Sequence, residues 1–110
     1  MNDITFAEAK PLLGQIICPR IKAALASGQL TCVPSGSGSP CLDLNAVSRQ
    51  VAQTAPGLVL LEGMGRAIHT NFRASFGCDA VLLGVFKNPR VAGLLGAQMY
   101  DSICLFKPRQ

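Results

Sequence analysis

Between Phe6 and Ala26, apolar side chains recur at Phe6, Ala9, Leu12, Leu13, Ile16, Ile17, Ile21 and Leu25. That spacing predicts a helix with one face turned inward. Thr5 followed three residues on by Glu8 has the form of a capping box, which places the start at Thr5. Pro19 has no N–H to give the helix interior, so the pattern predicts a break near it. Gln29–Val33 reads as a short strand, and the run Pro34-Ser-Gly-Ser-Gly-Ser-Pro40 as a loop by composition. Over Asp43–Thr54, Leu44, Val47 and Val51 share one helix face, with Asp43 as the candidate cap.

The pattern then changes period. Gly57–Leu61 is a continuous apolar run, which predicts a strand buried on both faces. It ends in Glu62-Gly-Met-Gly-Arg66, and a helix is expected from there through Phe72. Ala80–Phe86 is a second run of the same kind. Asn88 and Pro89 suit the N-cap and N1 positions of a short helix over Arg90–Leu95, stopped by Gly96, and Met99–Phe106 supplies a last strand. Helices alternating with buried-type strands predict an α/β layer with a largely parallel sheet. No internal repeat is present.

Composition narrows the class. A chain of 110 residues fits one small domain, and with 49% hydrophobic and 15% charged residues it is too apolar for a disordered one. The longest uncharged stretch, Ala23–Leu42, carries the Ser-Gly loop and is unsuited to crossing hydrocarbon, so no membrane association is expected. No basic stretch followed by an apolar one opens the chain, which argues for a cytoplasmic location. Ten Lys and Arg against six Asp and Glu give a net charge of +4. They are scattered, without a basic stripe or an aromatic ladder, so no nucleic-acid partner is expected. A mild positive excess suits a small anionic substrate better. The five cysteines lack any C-x-x-C pair and read as reduced, mostly buried small apolar residues.

In an open parallel sheet, ligands bind outside the carboxyl ends of the strands. Pro34–Leu42, Glu62–Arg66 and Lys87–Pro89 all follow expected strands and should share one edge. Their contents suit an anion. The first has the hydroxyls of Ser35, Ser37 and Ser39 and the amides of Gly36 and Gly38; the second has Gly63, Gly65 and the planar fork of Arg66. The third sets Lys87 beside a helix N-terminus. Each feature alone has an ordinary use: a flexible connector, a tight turn, a solvated lysine. The Ser-Gly loop lacks the Lys-Ser/Thr ending of a P-loop, and Gly63-Met-Gly65 fails G-x-G-x-x-G because residue 68 is Ile. Convergence on one edge is what favours a binding site. Glu62 ends an apolar strand, where a carboxylate is costly unless paired, with Arg66 or Lys87 as the candidate partner. His69 has no Ser or Cys in a triad-like local motif, and a surface or capping role fits it better.

Gly57-Leu-Val-Leu-Leu-Glu-Gly-Met-Gly-Arg-Ala-Ile-His-Thr-Asn71 resembles the metal-dependent damage-control phosphatases, in the subfamily marked by Glu-Gly-Met-Gly-Arg. The likeness continues through Cys78-Asp79, Val85-Phe-Lys-Asn88, Val91-Ala92, Leu95-Gly96, Ser102-Ile103 and Phe106-Lys107. Upstream it takes in Gly36-Ser-Gly-Ser-Pro-Cys-Leu-Asp-Leu44 and Asn2-Asp3-Ile4-Thr5. Within the subfamily the chain is similar to the 4'-phosphopantetheine phosphatase domain of pantothenate-kinase-like pseudokinases.

The resemblance implies a three-layer Rossmann-like fold and hydrolysis of small phosphomonoesters such as 4'-phosphopantetheine. It implies a divalent cation (Mn²⁺, Mg²⁺, Co²⁺ or Ni²⁺) with Asp3 as metal ligand and catalytic residue. Glu62, Gly63, Met64, Gly65 and Arg66 would line the substrate site, and Lys87 would contact the phosphate in a catalytic and binding role. A phosphomonoester needs its charge neutralised by such groups, and a metal can activate the attacking nucleophile. One departure matters. The family's Asp-Asn metal pair lies well before the Asn-Asp-Ile-Thr segment, and here only Met1 precedes that segment. Residues 1–110 are therefore expected to be the C-terminal part of the domain, with little activity alone and a tendency to self-associate or to join an upstream domain. A non-catalytic phosphometabolite-binding or regulatory module is the alternative, and a truncated or mispredicted gene product without its own role stays open beside it.

Overall fold

The computed structural model describes residues 4–39 and 41–110. Its centre is a three-stranded sheet in the order β1 (Leu58–Glu62), β2 (Asp79–Val85), β3 (Ser102–Lys107). β1 and β2 run parallel, from Leu58 opposite Asp79 to Glu62 opposite Leu83. β3 returns antiparallel to β2, with Ala80 opposite Lys107 and Val85 opposite Ser102. The architecture is α/β, as the alternation predicts, with a parallel pair and an antiparallel edge strand.

One face of the sheet is covered. Leu61, Ala80 and Leu82 point to it, and Ala67, Ile68, Phe76, Phe86 and Ala92 close over them as a single core. The opposite face is open. Leu60, Val81 and Phe106 form one cross-strand row, and Leu60 and Phe106 are 58% and 57% exposed. Burial of β1 on both faces is therefore not borne out: Leu61 is buried while Leu58 and Leu60 face outward on an edge strand.

The helix expected after Arg66 forms as a π-helical turn over Met64–Thr70. Ile68 lies against β2 at Gly84, where an added Cβ would come within 3.1 Å of Ile68 Cδ1. The absence of a side chain at Gly84 thus sets how close the turn sits to the sheet. The last helix, α4 (Pro89–Leu94), starts at the Asn88 cap as predicted; the reversal after it includes Gly96 at φ +69°.

Upstream, the long helical pattern splits before Pro19, while Pro11 is accommodated inside the first helix. α1 covers Phe6–Gly14 with the full Thr5–Glu8 capping box, and α2 covers Pro19–Ser27, closed by Gly28 at φ +77°. Neither helix has a fully buried residue, and Ile17 between them is 89% exposed. The strand predicted at Gln29–Val33 does not form. Leu30 and Val33 are exposed, and that segment pairs with none of the sheet's strands, so its ladder groups have nothing to join. The helix predicted over Asp43–Thr54 is interrupted. Asp43 caps a 3₁₀ turn, Leu44–Ala46, and Ser48 caps a short α3, Arg49–Ala52. Ser48 breaks the run because its N–H donates to Ser35 O (2.7 Å) and its hydroxyl to Pro34 O (2.6 Å). All five thiols are free, and none is fully buried, contrary to the expectation; Cys32 and Cys104 are exposed. No helix is long and apolar enough to cross a membrane among the described residues.

Candidate functional site

Because β1 and β2 are parallel, Glu62 and Val85 end at the same edge of the sheet. Gly63 leaves β1 at φ +105°, a conformation in which a side chain is strained, while its N–H extends the ladder to Leu83 O at 2.9 Å. The chain then enters the π-helical turn, and the N–H of Lys87 donates to Met64 Sδ at 3.2 Å. Met64 thus joins the loop after β1 to the loop after β2, a packing use that its place in the motif does not reveal.

Arg66 projects from the same turn into a cavity of about 460 Å³. The opposite wall is the serine-glycine loop from Pro34 to Ser39 with Leu42, and Ile4, Thr5, Phe6 and Ala9 close one side. The loop is folded by its own serines. Ser35 Oγ accepts from Ser37 N (3.4 Å), Ser37 Oγ from Ser39 N (3.1 Å), and Ser39 Oγ from Cys41 N (3.1 Å). This ladder uses alternate amides and does not use those of Gly36 and Gly38. Gly36, at φ +86°, sits so tightly on Ser48 that an added Cβ would lie 2.8 Å from Ser48 N. The loop therefore owes its shape to side-chain turns and one glycine contact and is not an open connector.

The expected site residues are only partly gathered. Arg66 lines the cavity, whereas Glu62, Gly63, Met64, Gly65 and Lys87 do not. Glu62 is exposed at the end of an edge strand, so water covers its charge and the expected need for a partner falls away. Lys87 is also exposed. The helix end beside it is not available as expected, since Asn88 Oδ1 already accepts from Arg90 N (2.9 Å) and Val91 N (3.3 Å). His69 is exposed on the π-helical turn, in keeping with a surface role. Asp3 lies outside the described residues. Among the described residues, no group of three or more His, Cys, Asp or Glu could hold a metal ion. The described donors therefore do not by themselves fit a metal centre.

Two residues inside the matching segments, with no expected role, hold distant parts of the chain together: Lys107 at the far end of the sheet and Asn71 beside the cavity. Lys107 ends β3 on its covered face, donating from Nζ to Phe72 O (2.8 Å) and Ala74 O (2.6 Å) and lying over the Phe76 ring. Strand alternation flags it, because Ile103, Leu105 and Lys107 share one face. Asn71 is buried, and its Nδ2 donates to Leu42 O (2.9 Å) and Arg66 O (2.7 Å). Nothing in the spacing announces that contact, which spans 29 residues.

No protein-family model matches the chain. Individual relatives do. Pantothenate kinase 2 of Arabidopsis thaliana is 48% identical over 85 residues, 74% of this chain and 9% of that protein. A damage-control phosphatase of the same plant is 37% identical over 110 residues, 97% of this chain and 29% of that protein. The mouse 4'-phosphopantetheine phosphatase is 28% identical over an alignment that takes in 94% of this chain and 19% of that protein. The chain thus spans less than a third of the length of each of these relatives. The match to the plant phosphatase takes in nearly the whole chain, and the chain belongs to the damage-control phosphatase family.

Proposed function

We propose that this chain forms the phosphate-recognising part of a metal-dependent phosphatase acting on phosphomonoesters of small metabolites, with 4'-phosphopantetheine or a related damaged pantetheine phosphate as substrate. The observation that carries this is the cavity between the serine-glycine loop and Arg66. A phosphate dianion needs a cation and N–H donors fixed in advance, and an arginine fork opposite a loop rich in backbone amides supplies both. Lys87, across the Met64 link, adds positive charge along the same edge. Two relatives, a damage-control phosphatase and a 4'-phosphopantetheine phosphatase, point to the same chemistry.

A divalent cation would supply charge neutralisation and nucleophile activation. Its protein ligands would be Asp3 and an Asp-Asn pair upstream of the family's Asn-Asp-Ile-Thr segment. The described residues supply the anion side only. Arg66 orients the phosphate, and the serine-glycine loop excludes water from one side of it.

The test is phosphate release from 4'-phosphopantetheine with added Mn²⁺ or Mg²⁺, comparing this chain with a form extended upstream through a relative's Asp-Asn segment. The extended form should be active, and the chain alone should show little or no turnover. Asp3→Ala should abolish the activity, and Arg66→Ala should lower it by about 10²-fold, the usual loss on removing one group that stabilises developing charge. The alternative is a phosphometabolite-binding module without catalysis, which would keep Arg66 and the serine-glycine loop as its anion site. Phosphate binding with no turnover in either form would select it.

A further inference from the structure

We propose that Asn71 is a positioning residue that fixes the distance between the two walls of the phosphate cavity, an inference that rests on the site reading above. Asn71 is 4% exposed and is the buried polar side chain of the core among the described residues. A primary amide carries two N–H donors. Here its two shortest contacts are backbone carbonyls, Arg66 O at 2.7 Å and Leu42 O at 2.9 Å; Thr70 Oγ1 lies at 3.0 Å. Both carbonyls belong to residues that line the cavity, one on each wall.

The local chain explains why an amide is needed. The π-helical turn ends at Thr70, and the backbone turns away at Asn71 with φ −116° and ψ 7°. Side chains at the end of the turn fold back onto carbonyls near its start. Thr70 Oγ1 donates its one proton to Gly65 O (3.0 Å) and lies 3.3 Å from Arg66 O, to which the Asn71 amide donates from five residues on. With its other hydrogen, Asn71 reaches the strand of chain leaving the serine-glycine loop. One side chain therefore holds the backbone from which the arginine fork projects and the exit of the loop that faces it. An anion clasped between them meets a gap set in advance, so less of the binding energy is lost to ordering the walls.

Asn71→Asp keeps the size and removes both donors; Asn71→Ser keeps one donor and serves if the first variant does not fold. Leu95→Ala, at the C-cap of α4, packed against the core and outside the cavity lining, controls for plain loss of stability. Amide hydrogen exchange and inorganic-phosphate affinity by NMR titration are measured on the 110-residue chain and each variant of it. In the Asn71 variants, exchange at Ser37, Ser39 and Cys41 should rise at least tenfold while the β2 amides stay protected, and phosphate should bind about tenfold more weakly. Leu95→Ala should lower the melting temperature and leave phosphate affinity as it was. Unchanged loop exchange in both Asn71 variants overturns the proposal, and so does unchanged phosphate affinity once the loop is loosened. If the unsubstituted chain fails to bind phosphate, the site reading falls and takes the positioning role with it. If it binds and the variants bind equally well, only the role of Asn71 falls.

Discussion

Single side chains and single missing side chains set the local shape of the molecule. Gly36 carries two demands at once, a φ of +86° and an approach to Ser48 that leaves no room for a Cβ. Gly36→Ala should therefore destabilise the chain by about 1–2 kcal/mol from backbone strain, with a further cost for moving Ser48. Thermal melting would check the stability, and loss of slow exchange at the Ser48 amide would locate the damage. Lys107 is the complementary case, a charge placed at a covered strand position and made tolerable by two carbonyls. Lys107→Met keeps most of the stem and leaves Phe72 O and Ala74 O without their donor. A loss of about 2 kcal/mol in urea unfolding is expected, from the cost of stranding polar groups in a partly buried place. Removal of Lys107 by an apolar residue with no loss of stability would show that water replaces it fully.

At the scale of elements, local signals held wherever the bond they imply is short-range. The Thr5–Glu8 box and the Asn88-Pro89 start both close within one helical turn, and both form; the break expected near Pro19 falls between α1 and α2. The Thr5 hydroxyl and backbone N–H, donating to Glu8, hold its carboxyl below its ordinary value of 4.5. A lowered folded-state pKa means that the contribution is present above 4.5 and is lost as pH falls through the lower folded value. Helical signal from α1 should accordingly decline on acidification below that value, while the β2 amides stay protected. Glu8→Gln should flatten the pH dependence in circular dichroism. Elements that depend on distant partners were not legible in the same way. Gln29–Val33 has the apolar pattern of a strand but meets no ladder, and Asp43–Thr54 has a helical stripe but is cut by Ser48 bonding to Pro34 and Ser35. β1 reads as doubly buried because its run is wholly apolar, yet burial depends on what covers the second face.

For the whole molecule, the ratio of surface to mass is the informative quantity. The accessible surface is 7981 Å², whereas a compact monomer of 11.6 kDa would expose about 5,800 Å² by the usual scaling. The radius of gyration of 15.6 Å likewise exceeds the roughly 13 Å of a compact chain of this length. The excess lies in α1 and α2, which have no fully buried residues, and in the open sheet face with Leu58, Leu60 and Phe106. Exposed apolar faces of that kind favour association. Light scattering should show concentration-dependent assembly of the isolated chain, together with a broad melt. Leu60→Lys, on the outward face, should raise the monomer fraction with a change in stability of only about 0.5 kcal/mol. A sharp two-state melt of a clean monomer would speak against the surface argument.

By itself the sequence determined the α/β class, the helix starts at Thr5 and Asn88, the apolar runs that became β1 and β2, and the motif at Glu62–Arg66. Each of these is fixed by side-chain periodicity or by hydrogen bonds that close within a few residues. Only the tertiary structure decided that β3 runs antiparallel, that one face of the sheet stays open, and that Arg66 meets the serine-glycine loop while Lys87 stands outside their cavity. It also decided the part played by Asn71, whose bond to Leu42 crosses 29 residues. The physical reason is the same throughout. A residue's local pattern states which faces and donors it can offer, and the packing of distant segments settles which of them find a partner.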